Sequence, residues 1–281
     1  MQECIGATEV EADPDVPIHH AVAQFCCFAG KLFTFRGTED DEQKRDLLHA
    51  LNAYAPGCRE ALHSLHVPHP KRAEIEMMIK STDLFIAELC CESGTWGELE
   101  RLIQQNTIRT EEDSPDDPHL SVRTLEAMAS LILRYPLCPS NLTHDVLKAI
   151  LMMLRVDTPQ NINTFARWNR ALILHLVNRG SGEDDDAAIY YSIETARKHL
   201  ESTEVSKHYP IDELRWLWST CYNKALELRD LGDLGAAHAF CELGMSLSRW
   251  CPNLGAGWQK SMQRLYQEIV YRLAERSSRT E

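Results

Sequence analysis

The chain has 281 residues, 44% of them apolar and 25% charged, which is enough apolar side chain to build a sizeable core. Its net charge of −13, from 42 acidic and 29 basic residues, excludes a broad basic surface for nucleic acid and an electrostatic face for an anionic membrane. Leu (34) and Ala (25) together outnumber Ile (15) and Val (10) by more than two to one, so helix formers dominate strand formers and an all-α protein is expected.

Residues 1–17 are acidic and aperiodic and are expected to be a disordered segment. They lack the positive and apolar regions of a secretory signal, so the ten Cys read as reduced thiols. From 18 onward the periodicity predicts helices over 18–36, 40–54, 58–66, 71–93, 95–105, 119–134, 141–156, 161–179, 184–203, 210–231, 233–249 and 254–275, with no strand alternation. The expected domain is therefore 18–275, with 276–281 as a disordered tail. Pro56-Gly57, Pro68 with Pro70, Pro136 with Pro139, and Gly180-Ser181-Gly182 read as helix stops. The acidic runs Glu39–Glu42, Glu111–Asp113 and Glu183–Asp186 read as solvated helix caps. The stretch from Gln105 to Pro118 reads as a long loop inside one array.

The first predicted helix is apolar nearly all round. Phe25, Phe28, Phe33 and Phe35 mark a candidate interaction surface, because one stripe is enough to cover the next helix. Upstream repeats, a second copy or another protein would dock there; the alternative is that helix 40–54 and the N-terminal tail cover it. Vicinal Cys26-Cys27 and Cys90-Cys91 sit among apolar residues and, with Cys241 and Cys251, are expected to be buried structural thiols. His63, His66 and His69 surround Pro68 without a Cys or carboxylate to complete a ligand set, so no metal is expected. Asn141-Leu142-Thr143 matches a glycosylation sequon, but reads more simply as a helix start. The chain carries no phosphate loop, dinucleotide fingerprint, H-E-x-x-H or G-x-S-x-G. No catalytic residue and no cofactor are assigned.

The strongest organised signal is a helix–turn–helix window. Ala225 and Leu228 share one helix face, Gly232-Asp233 turns the chain, and Ala237, Cys241 and Gly244 follow at spacings of four and three. Small residues at Ala225, Ala237 and Gly244 let two helices approach closely. Leu214, Trp218, Cys221, Ala225 and Leu228 form a helix seam, and the other Trp, including Trp258, are mostly at core spacing. The window resembles the tetratricopeptide (TPR) consensus, with Lys224 standing where an apolar residue is usual. A weaker window runs from Asp83, Ile86, Ala87 and Cys90 through Gly94-Thr95 to Leu99 and Ile103, and a third spans Phe165 to His199 around Gly180. The pairs are longer than a strict repeat, so the fold expected is an irregular TPR-like α-solenoid of antiparallel helix pairs.

The stretch Tyr209-Pro210-Ile211-Asp212-Glu213-Leu214-Arg215-Trp216-Leu217, followed by Asn223, Ala225 and Gly232-Asp233, resembles the C-terminal part of the fungal meiosis-specific sporulation proteins, the Zip-four/Spo-twenty-two family. The resemblance covers residues 70–275. It implies a C-terminal portion of a large TPR scaffold of the ZMM group, which promotes crossovers and synaptonemal-complex assembly in the nucleus. A non-enzymatic scaffold acting on protein partners is the expectation. The rivals are a TPR adaptor or co-chaperone of another pathway, working in the cytoplasm, and a helical enzyme with a scattered site.

Overall fold

The computed structural model describes residues 16–35, 41–64, 72–107, 119–180, 182–251 and 256–280. These are 89% helix with no strand, as the excess of Leu and Ala requires. The chain divides into two compact units, Met1–Pro139 and Ser140–Glu281. The division falls at Pro139, a predicted helix stop, and not in the 105–118 stretch. Residues 108–118, most of the predicted N-terminal tail, and His66 and His69 lie outside the described residues, as does the side chain of His63.

The first unit contains α1 (Val16–Phe35), α2 (Asp41–Ser64), α3 (Arg72–Ser93), α4 (Trp96–Thr107) and α5 (His119–Ile132). Helix α3 is the hub, packing against α1, α2, α4 and α5. It buries Ile75, Met78, Ile86, Ala87 and Cys90, while α2 contributes Leu47, Leu48 and Leu51, and α4 contributes Leu99, Leu102 and Ile103. Lys44 near the start of α2 meets Glu92 at the end of α3 at 3.2 Å, so these two helices run antiparallel. The predicted stop at Pro56-Gly57 is wrong: α2 continues through Pro56 to Ser64. A proline in a helix interior removes one backbone donor and crowds the carbonyl four residues back. Here Leu47, Leu48, Leu51, Tyr54 and Ala55 bury the turns before it, and that burial outweighs the local cost.

The second unit contains α6 (Ser140–Met153), α7 (Pro159–Arg179), α8 (Glu183–Leu200), α9 (Thr203–His208), α10 (Ile211–Leu231), α11 (Leu234–Leu247) and α12 (Ala256–Thr280), with a 3₁₀ turn over Ser248–Trp250. Sequential neighbours pack together, α6 on α7, α7 on α8, α10 on α11 and α11 on α12, and α8 also touches α11. Helix α7 starts two residues before its predicted start. Thr158 accepts from the Asn161 backbone N–H at 3.2 Å, and Pro159 occupies the first turn where no donor is needed. Helix α9 was not expected; Val205 anchors it, buried at 4% exposure. Helix α12 continues to Thr280, past the predicted end at 275. The seam residues Leu214, Trp218, Cys221, Ala225 and Leu228 are all buried. Trp258 breaks the core expectation at 56% exposed; its ring stands nearly perpendicular to that of Trp218, 5.7 Å away between centroids.

Candidate functional site

The Gly232-Asp233 turn has a full set of backbone partners. Gly232 lies in the left-handed region at φ 86°, a conformation that costs an L side chain about 1–2 kcal/mol. Its N–H donates to the Arg229 carbonyl at 3.1 Å, and the Asp233 N–H donates to the Leu228 carbonyl at 2.9 Å. This is the Schellman pattern, which satisfies carbonyls left free at a helix end. The Asp233 carboxylate then accepts from the Ala236 N–H at 3.0 Å and caps α11. One glycine closes one helix and the next residue opens another. From α12, Arg276 donates to the Gly232 carbonyl at 3.0 Å. Ala225, Ala237 and Cys241 are fully buried. A Cβ on Gly244 would collide with the Met262 side chain and come within 3.1 Å of Cys221 Cβ, so this glycine sets how closely α10, α11 and α12 approach.

The Gly94-Thr95 turn in the first unit shares the left-handed glycine and the long backbone bond. Gly94 has φ 69°, and the Thr95 N–H donates to the Cys90 carbonyl at 3.0 Å, the same long Schellman bond. Counting from the glycine, the buried positions coincide. Asp83, Ile86, Ala87 and Cys90 precede Gly94 at the offsets at which Cys221, Lys224, Ala225 and Leu228 precede Gly232; Leu99, Leu102 and Ile103 follow as Ala237, Phe240 and Cys241 do. All fourteen are buried. The third window agrees on its first helix, where Asn169, Leu172, Ile173 and Leu176 stand at those offsets before Gly180 and are buried. Its turn differs: Gly180 has φ 109°, and α8 starts only after Gly182.

Lys224, the exception in the repeat pattern, has a partner distant in sequence. Its Nζ lies 2.6 Å from Asp186 of α8 and 3.0 Å from Glu227, with the lysine side chain 6% exposed and the aspartate side chain 12%. Burial by itself would lower the ammonium's pKa, and the bonds to Asp186 and Glu227 more than offset this, so it is raised. The Glu183–Asp186 run is therefore not simply a solvated cap: its last member is a buried counter-ion. Nearby, Asp185 meets Arg179 across the α7–α8 turn at 3.7 Å.

The Tyr209–Leu217 stretch joins α7 to α10. Tyr209, Leu214 and Leu217 are buried. Burial, with Glu213 nearby, pushes the Tyr209 phenol well above its ordinary range. Glu213 takes the Arg170 guanidinium at 3.3 Å, and that guanidinium lies over the Trp216 ring at 4.9 Å, a cation–π contact. Sequence reasoning missed Arg170, because its partners lie more than forty positions away.

The α1 face is only partly open. Phe25 stacks on Phe85 of α3 at 6.2 Å, and Phe28 tilts against Tyr54 of α2 at 5.0 Å. Both therefore pack within the unit. Phe33 is 71% exposed, and the Phe35 side chain lies outside the described residues. Cys26 and Cys27 are exposed, contrary to the expectation of buried thiols, because two adjacent helix positions diverge and α1 has no neighbour on that side among the described residues. Cys90, Cys91, Cys241 and Cys251 are buried as expected. Burial pushes the Cys90 thiol up to about 11 and those of Cys91 and Cys241 to about 12.

Among the described residues no group of three or more His, Cys, Asp and Glu side chains could hold a metal ion. No helix among them is long and apolar enough to cross a membrane. No family model matches the chain, and no solved structure matches it.

Proposed function

We propose that the chain is a TPR-like helical-repeat scaffold that works without catalysis, by holding other proteins. The observation that carries this reading is the recurrence of one hairpin frame at Gly94 and Gly232, with the same buried offsets and the same long backbone bond. Stacked helix pairs of this kind present extended surfaces to partners. The proposed setting is the meiotic nucleus, on chromosomes, where the resembled family supports crossover formation and synaptonemal-complex assembly. The Tyr209–Leu217 segment and the Gly232-Asp233 turn support that setting, since the residues carrying the resemblance also join α7 to α10 and α10 to α11.

The co-chaperone alternative is weaker on one observation. A clamp for a peptide carboxylate would use Asn223 and Lys224, but Lys224 is occupied by Asp186 and Glu227 inside the unit. Tagging the chain in a sporulating culture tests the setting. Expression confined to meiosis, chromosomal foci and recovery of recombination proteins by proximity labelling are the expected outcome. Constitutive expression with cytoplasmic labelling of chaperones would transfer the reading to the adaptor class.

A further inference from the structure

In the second unit a groove of about 410 Å³ lies where α12 meets α10 and the end of α11. Its floor is apolar: Trp218 and Met262 are no more than 2% exposed, and Met245 is half-buried. Gln259, Gln263 and Gln267 of α12 line one side and are exposed. Among the described residues no charged side chain lines the groove, although 25% of the chain is charged. No hydrogen bond among the described residues occupies the three carboxamides, so each keeps both its donor and its acceptor for a partner.

The three glutamines recur at every fourth residue, so along α12 they stand about 6.0 Å apart and span about 12 Å. An extended chain rises about 3.3 Å per residue and turns the N–H and C=O of alternate residues to the same edge, so that edge presents an amide pair about every 6.6 Å. Three such pairs match three carboxamides, and a mismatch of about 0.6 Å per step is within reach of a long, flexible side chain. A volume of 410 Å³ over about 12 Å leaves a cross-section of roughly 6 Å on a side, narrower than a helix of about 10–12 Å diameter. A helix also spends its interior amides on its own ladder and offers none to the glutamines.

We propose that this groove binds an extended, uncharged segment of a partner protein, with apolar side chains at alternate positions. Gln259, Gln263 and Gln267 each donate to a carbonyl and accept from an N–H along one edge of the segment. One set of alternate side chains lies on Trp218, Met245 and Met262, and the other set faces solvent. An acid or a base at an inner position would lose water and find no counter-ion on the lining. Backbone pairing supplies the affinity, and the apolar floor selects the side chains. This inference rests on the scaffold reading and names the kind of segment such a scaffold holds.

The test is fluorescence anisotropy with the full chain and a labelled peptide Gly-Ser-Val-Ser-Leu-Ser-Val-Ser-Gly. Saturable binding is expected. Two further peptides carry N-methyl groups, one on its three apolar residues and the other on the three Ser that follow them. Only one edge of the segment meets the glutamines, so one methylated form should bind as the parent peptide does and the other should not bind. Gln259→Ala, Gln263→Ala and Gln267→Ala together change only exposed side chains and should weaken the parent peptide at least about tenfold, with the helix content unchanged by circular dichroism. Equal affinities for the two methylated forms, an unchanged affinity in the triple variant, or no saturation up to about 1 mM overturns the proposal. The methylated pair is read on the unaltered protein, so it decides even where the triple variant misfolds. The outcomes separate from those of the scaffold reading. A triple variant that loses the peptide yet recovers the same proteins in cells overturns the groove as the partner site and leaves the scaffold standing. Recovery of no partner protein, with peptide binding intact, overturns the scaffold and leaves the groove.

Discussion

The α3–α4 and α10–α11 hairpins share one backbone frame and lock it with different chemistry. In the first unit the turn is pinned by Ser93 and Thr95 hydroxyls at 3.0 Å, and Asn106 reaches back to the buried Asp83. In the second, Asp233 caps α11 and Arg276 closes over the turn. The position eight residues before the glycine is Ile86 in one and Lys224 in the other. Ile86 is buried at 1% exposure, whereas Lys224 meets a counter-ion from α8. A hairpin frame thus accepts a charge at a core position when a neighbouring helix supplies the opposite one, and the same position without that neighbour carries an apolar side chain.

The largest test of that contrast is Lys224→Met. Removing one member of a buried pair strands the other, and a loss of about 3–5 kcal/mol in urea unfolding is expected. The double change Lys224→Met with Asp186→Leu should recover most of it. If the single variant is as stable as the parent, the pair does not hold the second unit. In the first unit Pro56→Ala should act in the opposite direction, stabilising by up to about 3 kcal/mol because it restores a helix donor and removes a clash. A destabilised Pro56→Ala would mean the proline shapes a bend that the unit needs. Ala237→Trp overpacks the fully buried α10–α11 contact and should cost about 1–3 kcal/mol; an unchanged denaturation midpoint would refute the close approach.

Gly94→Ala and Gly232→Ala should each cost roughly 1 kcal/mol. The new Cβ would meet nothing closer than 3.8 Å at Gly94 and 3.6 Å at Gly232, so backbone strain alone is measured, and equal losses would establish that the two turns are equivalent. The smallest effect is with pH. Burial lowers the pKa of His144, His175 and His199 in the second unit. The unfolded chain then holds more protons than the folded one near pH 6.5. Stability from these groups is present above that pH and falls as the pH drops through and below it. Tryptophan fluorescence follows this unit, which holds five of the six Trp. A midpoint that rises on acidification from pH 7 to 5.5 would reverse the sign.

Most helices were legible because Leu and Ala at helical spacing state both the element and its buried face. Ala225, Ala237 and Gly244 were legible as a close contact for the same reason: small residues in one register have few other uses. What escaped depended on the third dimension. Asp186 reads as one of four acids in a cap until α10 brings Lys224 to it. Pro56 reads as a stop, because the pattern does not reveal how much burial precedes it. Phe25 and Phe28 read as surplus apolar surface, since the sequence does not say that Phe85 and Tyr54 face them. Cys26 and Cys27 read as buried, because composition reports apolar neighbours along the chain and not beside it.

The thiols give the molecule a built-in stopwatch. Alkylating reagents attack the thiolate, and a thiol pushed to about 12 is ionised in roughly one molecule in 10⁵ at neutral pH. Cys26 and Cys27, being exposed, take up iodoacetamide at once. Cys90 and Cys91 wait for the first unit to open, and Cys221 and Cys241 for the second, so one mass-spectrometric time course on the unmodified protein reads out two separate breathing rates.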